Sequence, residues 1–342
     1  MPHDKTAHAR TRRIPYATLK KNREKRIRAG HPWVYEGEIT EIHGEPRPGD
    51  IIDVVDSRGR FLGRGFINPT SKITVRILTW EEEEVNEDFF RRQFIRARDY
   101  RNSVVGDTPC YRAIFADADF LPSLIVDRYQ DVSVIQTLAL GMDIRKELIV
   151  SLVKEVFGTD KIYERNDPRS RELEGLPLRK GFLSKEFPTS FWMGENGFAF
   201  WVDIENGQKT GHFLDQRENH RAIEPWCKGA RVLDAFCYTG GFAIHAAGYG
   251  AREVIGLDSS AVALEFARMA ATRNGFDKII SFKEGNAFDM LRELESNGES
   301  FDLIILDPPA FAPSKWMLGS ALRGYKEINL RAMKLLVPGG VL

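Results

Sequence analysis

Three aspartates stand where an α/β protein keeps its ligand-binding acids. Asp234, Asp258 and Asp307 each follow a short apolar run, and each precedes residues that bend the chain. The first lies in Arg-Val-Leu-Asp-Ala-Phe-Cys-Tyr-Thr-Gly-Gly-Phe, residues 231 to 242. Val232 and Leu233 start a strand, Gly240 and Gly241 permit a tight turn, and Phe242 to Ala247 begin a helix. A dinucleotide loop needs G-x-G-x-x-G to bring a pyrophosphate against backbone N–H groups, and a P-loop adds Lys-Ser/Thr. This loop has one glycine pair and no phosphate cradle. A ligand with adenosine and no phosphate suits it, and S-adenosylmethionine is the common one.

The elements that must position these acids follow in order. Glu253 to Leu257 is a second apolar strand ending in Asp258, 24 residues after Asp234, where a Rossmann-like unit places the acid that binds ribose hydroxyls. After a helix over Ala261 to Asn274 comes a third strand, Ile279 to Phe282, and the turn Glu284-Gly-Asn-Ala-Phe288. There Asn286 can offer an amide to an adenine edge, and Phe288 can pack on its ring. Phe301 to Leu306 reads as a fourth, wholly buried strand leading into Asp307-Pro-Pro-Ala-Phe311. Its two prolines fix φ and remove two donors, so the chain leaves the strand rigidly. Alone, each feature reads as a turn or a helix cap. Together, in order, they occupy the carboxyl edge of a parallel sheet, where such folds bind ligands.

With these residues in place, the chain resembles the class I S-adenosylmethionine-dependent methyltransferases. More narrowly, it resembles the RlmI-like ribosomal RNA (cytosine-C5) methyltransferases with an N-terminal PUA domain. The narrower likeness rests on Gly30-His-Pro-Trp-Val-Tyr35, Leu121-Pro-Ser-Leu-Ile-Val-Asp-Arg-Tyr129, Gly207-Gln-Lys-Thr-Gly-His-Phe-Leu-Asp-Gln-Arg217 and the Asp234 and Asp307 motifs. The resemblance implies that Phe213, Asp215, Gln216 and Arg217 line the cofactor pocket. With Asp234, Phe236, Tyr238, Thr239, Gly240, Asp258, Ser259, Asn286, Ala287, Phe288 and Asp307 they form the candidate cofactor site. Pro308, Pro309 and Phe311, with Asp307, would shape the slot for the target base. Asn286 departs from the Asp common at its position.

Length and composition set outer bounds. A chain of 342 residues, 42% apolar and 29% charged, accommodates two or three soluble domains. Cys110, Cys227 and Cys237 have no paired spacing, which argues against a disulfide framework or zinc knuckle and fits a reducing cytoplasm. No apolar run approaches the ~20 residues of a membrane helix. Net charge is zero, yet residues 1–30 hold ten Lys or Arg against Asp4 and Glu24. That end is a candidate contact for a polyanion, giving affinity without sequence information. Next, Glu38 to Ile42, Asp50 to Val55, Phe61 to Phe66 and Lys72 to Leu78 read as short strands separated by glycine and proline turns. They suggest a small barrel of the PUA kind, with Arg28, His31, Arg64 and Lys72 as candidate RNA contacts.

The expected architecture is therefore α/β: a basic N-terminus and PUA-like domain over 1–82, a mixed α/β region over 83–204, and a Rossmann-like class I methyltransferase domain over 205–342. In the central region Val85 to Val104 and Arg145 to Phe157 are amphipathic helices, and Trp192 to Asp203 is a strand or hairpin arm. Phe115-Ala-Asp-Ala-Asp119 is no convincing metal site, since Asp-containing turns need no ion, and no metal is expected.

Methyl transfer from a sulfonium requires nucleophile, carbon and sulfur held in line, largely away from water. A cytosine C5 acceptor also needs a cysteine thiolate at C6 and a base to remove the C5 proton. Cys237, Cys227 and Cys110 all fit that role poorly. In the family resembled, the nucleophile sits in a Ser-Cys-Ser-like motif after the next strand, so it is expected beyond Leu342, with these residues a truncated part of a longer chain. The leading expectation is 5-methylcytosine formation in large-subunit ribosomal RNA by a cytoplasmic enzyme, with a homodimer allowed. Methylation of a purine nitrogen or exocyclic amine is the first alternative, and a non-catalytic RNA-binding or ribosome-assembly factor the second.

Overall fold

The computed structural model describes residues 14–106, 108–311 and 318–342. Lys5, Arg10, Arg12 and Arg13 of the basic end lie outside the described residues. Two compact units divide the chain: residues 1–106 with 111–187, and residues 107–110 with 188–342.

The first unit carries two sheets. One runs Trp33–Val34, Val75–Thr79, Phe61–Ile67, Ile51–Val55, Tyr16–Leu19, Ile39–His43 in spatial order, around Leu19, Ile52, Val54, Ile67 and Ile77. The strands read from the sequence recur here within a few residues, because β-branched side chains alternate on a pleated, half-covered surface. The other sheet runs Arg179–Phe182, Lys161–Asn166, Val132–Thr137, Leu124–Tyr129, Cys110–Phe115. Helices Glu87–Val104 and Lys146–Phe157 bury Phe89, Phe90, Phe94, Leu152 and Phe157 with it. Asn86 caps the first of these helices by accepting from the Phe89 amide at 3.0 Å. Asp119 of the acidic turn receives Arg101 through both oxygens, so arginine satisfies the carboxylate that a metal would need.

The second unit opens with a hairpin, β1 (Ser190–Glu195) and β2 (Phe198–Asp203), joined by Asn196 and Gly197. Both loop residues have positive φ, 50° and 87°, as a two-residue type I′ turn demands. The hairpin placed in the central region by sequence thus packs with the second unit. After α1 (Arg217–Ala222) come β3 (Arg231–Ala235), α2 (Gly241–Gly248), β4 (Glu253–Asp258), α3 (Ala261–Asn274), β5 (Ile280–Glu284), α4 (Ala287–Ser296), β6 (Phe301–Leu306), α5 (Leu318–Leu335) and β7 (Leu336–Val341). The sheet is parallel in the order β5-β4-β3-β6-β7, so strand order reverses beside β3, the place where open α/β sheets bind ligands. Leu233, Ile255, Leu257, Leu291, Ile304 and Ile328 form its core. One expectation is corrected: β6 is not wholly buried. Asp302, Ile305 and Leu306 are half-exposed, because β7 registers with it only at Phe301 and Leu303.

Candidate cofactor and target-base site

The carboxyl ends of β3, β4, β5 and β6 meet around a cavity of about 570 Å³, the size of a small-molecule site. Its floor is the loop after β3. Phe236 and Tyr238 there adopt φ of 69° and 49°, a left-handed conformation costly for bulky residues. The end of β4 holds them in it. The amides of Phe236 and Cys237 donate to the Leu257 carbonyl at 2.8 and 2.9 Å, and that of Tyr238 donates to Asp258 Oδ2 at 2.8 Å. Asp258 Oδ1 accepts from the Ser260 amide at 2.9 Å. One carboxylate at the strand end therefore shapes two turns.

Asp234 lies beneath this floor rather than in it. It is fully buried, its Oδ2 caps α2 from inside by accepting from the Ala243 amide at 2.9 Å, and its Oδ1 accepts no hydrogen bond among the described residues. Burial, with Asp307 and Asp258 nearby, pushes its carboxyl up to about 8. Its place is structural: it anchors the helix whose first turn borders the cavity. Gly240, at φ 81°, is the N-cap of that helix and does not itself line the cavity.

At the β5 end, Asn286 lines the cavity, but its Oδ1 caps α4 by accepting from the Phe288 amide at 2.9 Å. An adenine contact would fall to its Nδ2. Ser259, Ala287 and Phe288 line the cavity beside it. At the β6 end, Asp307, Pro308, Pro309 and Phe311 form the opposite wall. Phe311 sits among aromatic rings, 4.6 Å from Tyr325, 5.5 Å from Phe288 and 6.4 Å from Phe236 between centroids. The segment from Gly207 closes a third side. Gln216 Nε2 donates to Asp307 Oδ2 at 2.8 Å, the Gln208 amide donates to the Tyr238 hydroxyl at 2.9 Å, and Phe213 meets the Tyr238 ring edge-on at 5.4 Å. That segment turns compactly because a Cβ on Gly207 would strike the Asp203 carbonyl at 2.5 Å.

Phe213, Gln216, Phe236, Tyr238, Thr239 and Asp258 are thus among the expected residues that come together here. Asp215 and Arg217 do not join them: Asp215 pairs with Lys209 at 2.9 Å, and Arg217 turns to Glu218 at 2.6 Å. The sequence reading missed Gln208, Lys209, His212, His220 and Gly285, all on the wall. The 207–217 motif pointed at the first three. Nothing local marked His220, which reaches the cavity only through packing.

Cys237 lines the cavity, yet burial first and the neighbouring Asp234 and Asp258 charges push its thiol well above the ordinary range. Burial, with Glu224, pushes Cys227 up to about 12, and its Sγ donates to the Ile223 carbonyl at 3.2 Å.

Of the candidate RNA contacts in the first unit, Arg28 and Lys72 are exposed and His31 half-exposed. Arg28 pairs with Asp56 at 2.8 Å. Arg64 is corrected: it is 8% exposed, its Nε donates to Asp53 at 2.7 Å and its Nη1 to the Glu83 carbonyl. A guanidinium so enclosed is not open to a phosphate.

Comparison with known proteins agrees with this geometry. A PUA-like domain family matches residues 17–80, and an S-adenosylmethionine-dependent methyltransferase family matches residues 179–342. Ribosomal RNA large subunit methyltransferase I of Shewanella amazonensis is 43% identical over 329 residues, 95% of this chain and 83% of that protein. The chain belongs to that family. It is an S-adenosylmethionine-dependent methyltransferase, and S-adenosylmethionine is its cofactor. The protein of the same name from Tolumonas auensis is 41% identical over 330 residues, with the same shares covered. A methyltransferase structure from Streptococcus mutans shares the fold, at TM-score 0.79 and 21% identity, over 95% of this chain and 84% of that one. Another, solved with S-adenosylhomocysteine, aligns at TM-score 0.80 and 21% identity over the same shares. Among the described residues of this methyltransferase, no helix is long and apolar enough to cross a membrane.

Proposed function

We propose that this methyltransferase modifies a base of large-subunit ribosomal RNA, at carbon 5 of a cytosine. The observation that carries the substrate class is the 43% identity, over 95% of the chain, to a protein named for that RNA. A PUA-like domain with exposed Arg28 and Lys72 and half-exposed His31 supports an RNA partner. Lys and Arg on such a face hold phosphates and leave base identity to the catalytic pocket.

In this reading Asp258 accepts hydrogen bonds from the ribose hydroxyls, and Asn286, Ala287 and Phe288 enclose adenine. Phe213, Gln216 and Tyr238 flank the methionine half. S-adenosylmethionine, when bound, supplies an electrophilic methyl group. The target base must leave its stack to reach it. Pro308 and Pro309 offer no N–H, so the wall they form presents carbonyls and ring surface to that base. Gln216 holds Asp307 at the edge of the slot, and Phe236, Phe288 and Phe311 keep water out. Their contribution is alignment and a dry environment.

A second reading is transfer to a purine nitrogen or exocyclic amine, which needs no thiolate; burial pushes the thiols of Cys227 and Cys237 up, so neither of these two serves as a C5 nucleophile. Mass spectrometry of nucleosides from large-subunit RNA of a deletion strain, followed by mapping, separates the two. Loss of one 5-methylcytidine supports the first, loss of a methylated purine the second, and an unchanged RNA overturns both.

A further inference from the structure

A buried cluster behind the cofactor loop has no role in the reading above. Glu195, the last residue of β1, meets three imidazoles. His220 Nδ1 lies 2.6 Å from its Oε1, His212 Nε2 lies 3.3 Å from its Oε2, and His245 Nε2 lies 3.9 Å from Oε1. All four residues are at most 4% exposed. Burial opposes the charge of Glu195, yet His212 and His220 outweigh it and hold the carboxyl far below its usual range. His245 spends Nδ1 on the Gly241 carbonyl at 2.7 Å and meets Asn196 Nδ2 through Nε2 at 3.1 Å.

His220 is different. Its Nδ1 is spent on Glu195, while its Nε2 makes no hydrogen bond among the described residues and is not sealed in, since the residue, 4% exposed, borders the cavity. The ring lines the cavity and lies against the start of α2, where a Cβ on Gly241 would meet Nε2 at 2.5 Å. Only glycine lets the imidazole approach that closely. Asp234 takes the Ala243 amide of the first turn of α2 from inside, Gly240 at the N-cap has no side chain, and the turn itself carries no acid, so the Gly241 and Phe242 amides and the helix dipole favour an anion.

The order of strands says which part of the cofactor arrives there. With adenine at the end of β5 and ribose at Asp258 on β4, the amino-acid half lies over the loop after β3 and the first turn of α2. Resting on that reading of the pocket, we propose that His220 as an imidazolium, its Nδ1–H given to Glu195, uses Nε2–H together with the Gly241 and Phe242 amides of α2 to bind the carboxylate of the methionine portion of S-adenosylmethionine, and that Glu195 is the positioning residue that orients His220. The hairpin thereby supports the cofactor site through Glu195. A metal ion fits the cluster less well. Two ligands on a tetrahedral zinc at ~2.0–2.1 Å stand roughly 3.3 Å apart, and the Glu195–His220 pair is at 2.6 Å, a charge-assisted hydrogen bond.

The test is calorimetry on the full chain with two ligands: S-adenosylhomocysteine, and methylthioadenosine, which keeps the adenosine and sulfur but lacks the amino-acid end. His220→Leu should weaken S-adenosylhomocysteine about 10- to 100-fold, the worth of a hydrogen bond to a charged group, and leave methylthioadenosine unchanged. His220→Gln, which keeps an N–H donor, should recover part of the loss. Glu195→Gln should weaken only S-adenosylhomocysteine, and by less. Equal weakening of both ligands by these variants, weakening of neither, or stoichiometric zinc in the purified protein would overturn the proposal. So would a wild-type protein that binds both ligands equally tightly. Asp258→Ala checks the reading beneath it, because loss of the ribose contact must weaken both ligands.

Discussion

Replacing Asp258 with alanine should damage the loop and the cofactor site together, in a ratio the structure sets. Its two oxygens accept from the amides of Tyr238 at 2.8 Å and Ser260 at 2.9 Å. Hydrogen bonds to a charged group are worth about 1.5–3 kcal/mol each. Water in the cavity can replace part of both, so the free protein should lose about 2 kcal/mol in total. That loss also releases Phe236 and Tyr238 from left-handed conformations that persist only while their surroundings dictate them. In the complex, two ribose hydroxyls lose a carboxylate acceptor, worth about 3 kcal/mol more, or roughly 100-fold in affinity. Calorimetry with S-adenosylhomocysteine and urea unfolding of the free protein measure the two losses separately. Asp258→Asn, which keeps an acceptor for one amide, should fall between. Wild-type affinity in the alanine variant would place the ribose elsewhere. Lost stability with unchanged affinity would reduce Asp258 to a loop anchor.

Other perturbations reach different parts of the site. Gly256→Ala puts a Cβ 2.6 Å from the Phe282 ring and 3.1 Å from Cys237 Sγ; overpacking of this kind costs about 1–3 kcal/mol, and an unchanged urea midpoint would show that the ring swings aside freely. His245 is pushed down to about 4, by burial first and then by His220, from 6.5. A base with a depressed folded pKa contributes stability that is complete above pH 6.5 and lost as pH falls through 4, about 3 kcal/mol for 2.5 units. Urea midpoints between neutral pH and pH 4.5 should fall more steeply for the wild type than for His245→Gln, and parallel profiles would refute this. Cys237→Ala should keep methyl transfer near the wild-type rate, since its thiol stays protonated; loss of turnover by orders of magnitude with cofactor affinity intact would make it the nucleophile. Lys72→Ala should weaken RNA binding evenly across sequences and reduce the log–log salt slope by about one, whereas a change in base preference would mean it reads bases.

Much of the fold was legible because its signals are local. Ala261 to Asn274 and Phe301 to Leu306 were bounded at the observed residues, one between an N-capping Ser260 and Gly275, the other by apolar length and Asp307. The Asn196-Gly197 turn carried a hairpin signal that the reading took only as far as a strand or hairpin arm. Strand ends also marked the edge where the cavity lies. The three acids did meet at one sheet edge, because alternating strand and helix admits few other arrangements.

What the sequence by itself determined was the order of strands and helices, the acids at the strand ends, and a loop with no means of cradling a phosphate. Only the tertiary structure decided what each acid does. Asp234 went under the floor to cap a helix while Asp258 faced the cavity, a difference that no spacing encodes. Arg64 and His220 show the same limit, because burial and pairing arise between residues distant in the chain. Arg64 is enclosed by Asp53 and Glu83, and His220 is drawn into the cavity wall by a glutamate 25 positions earlier.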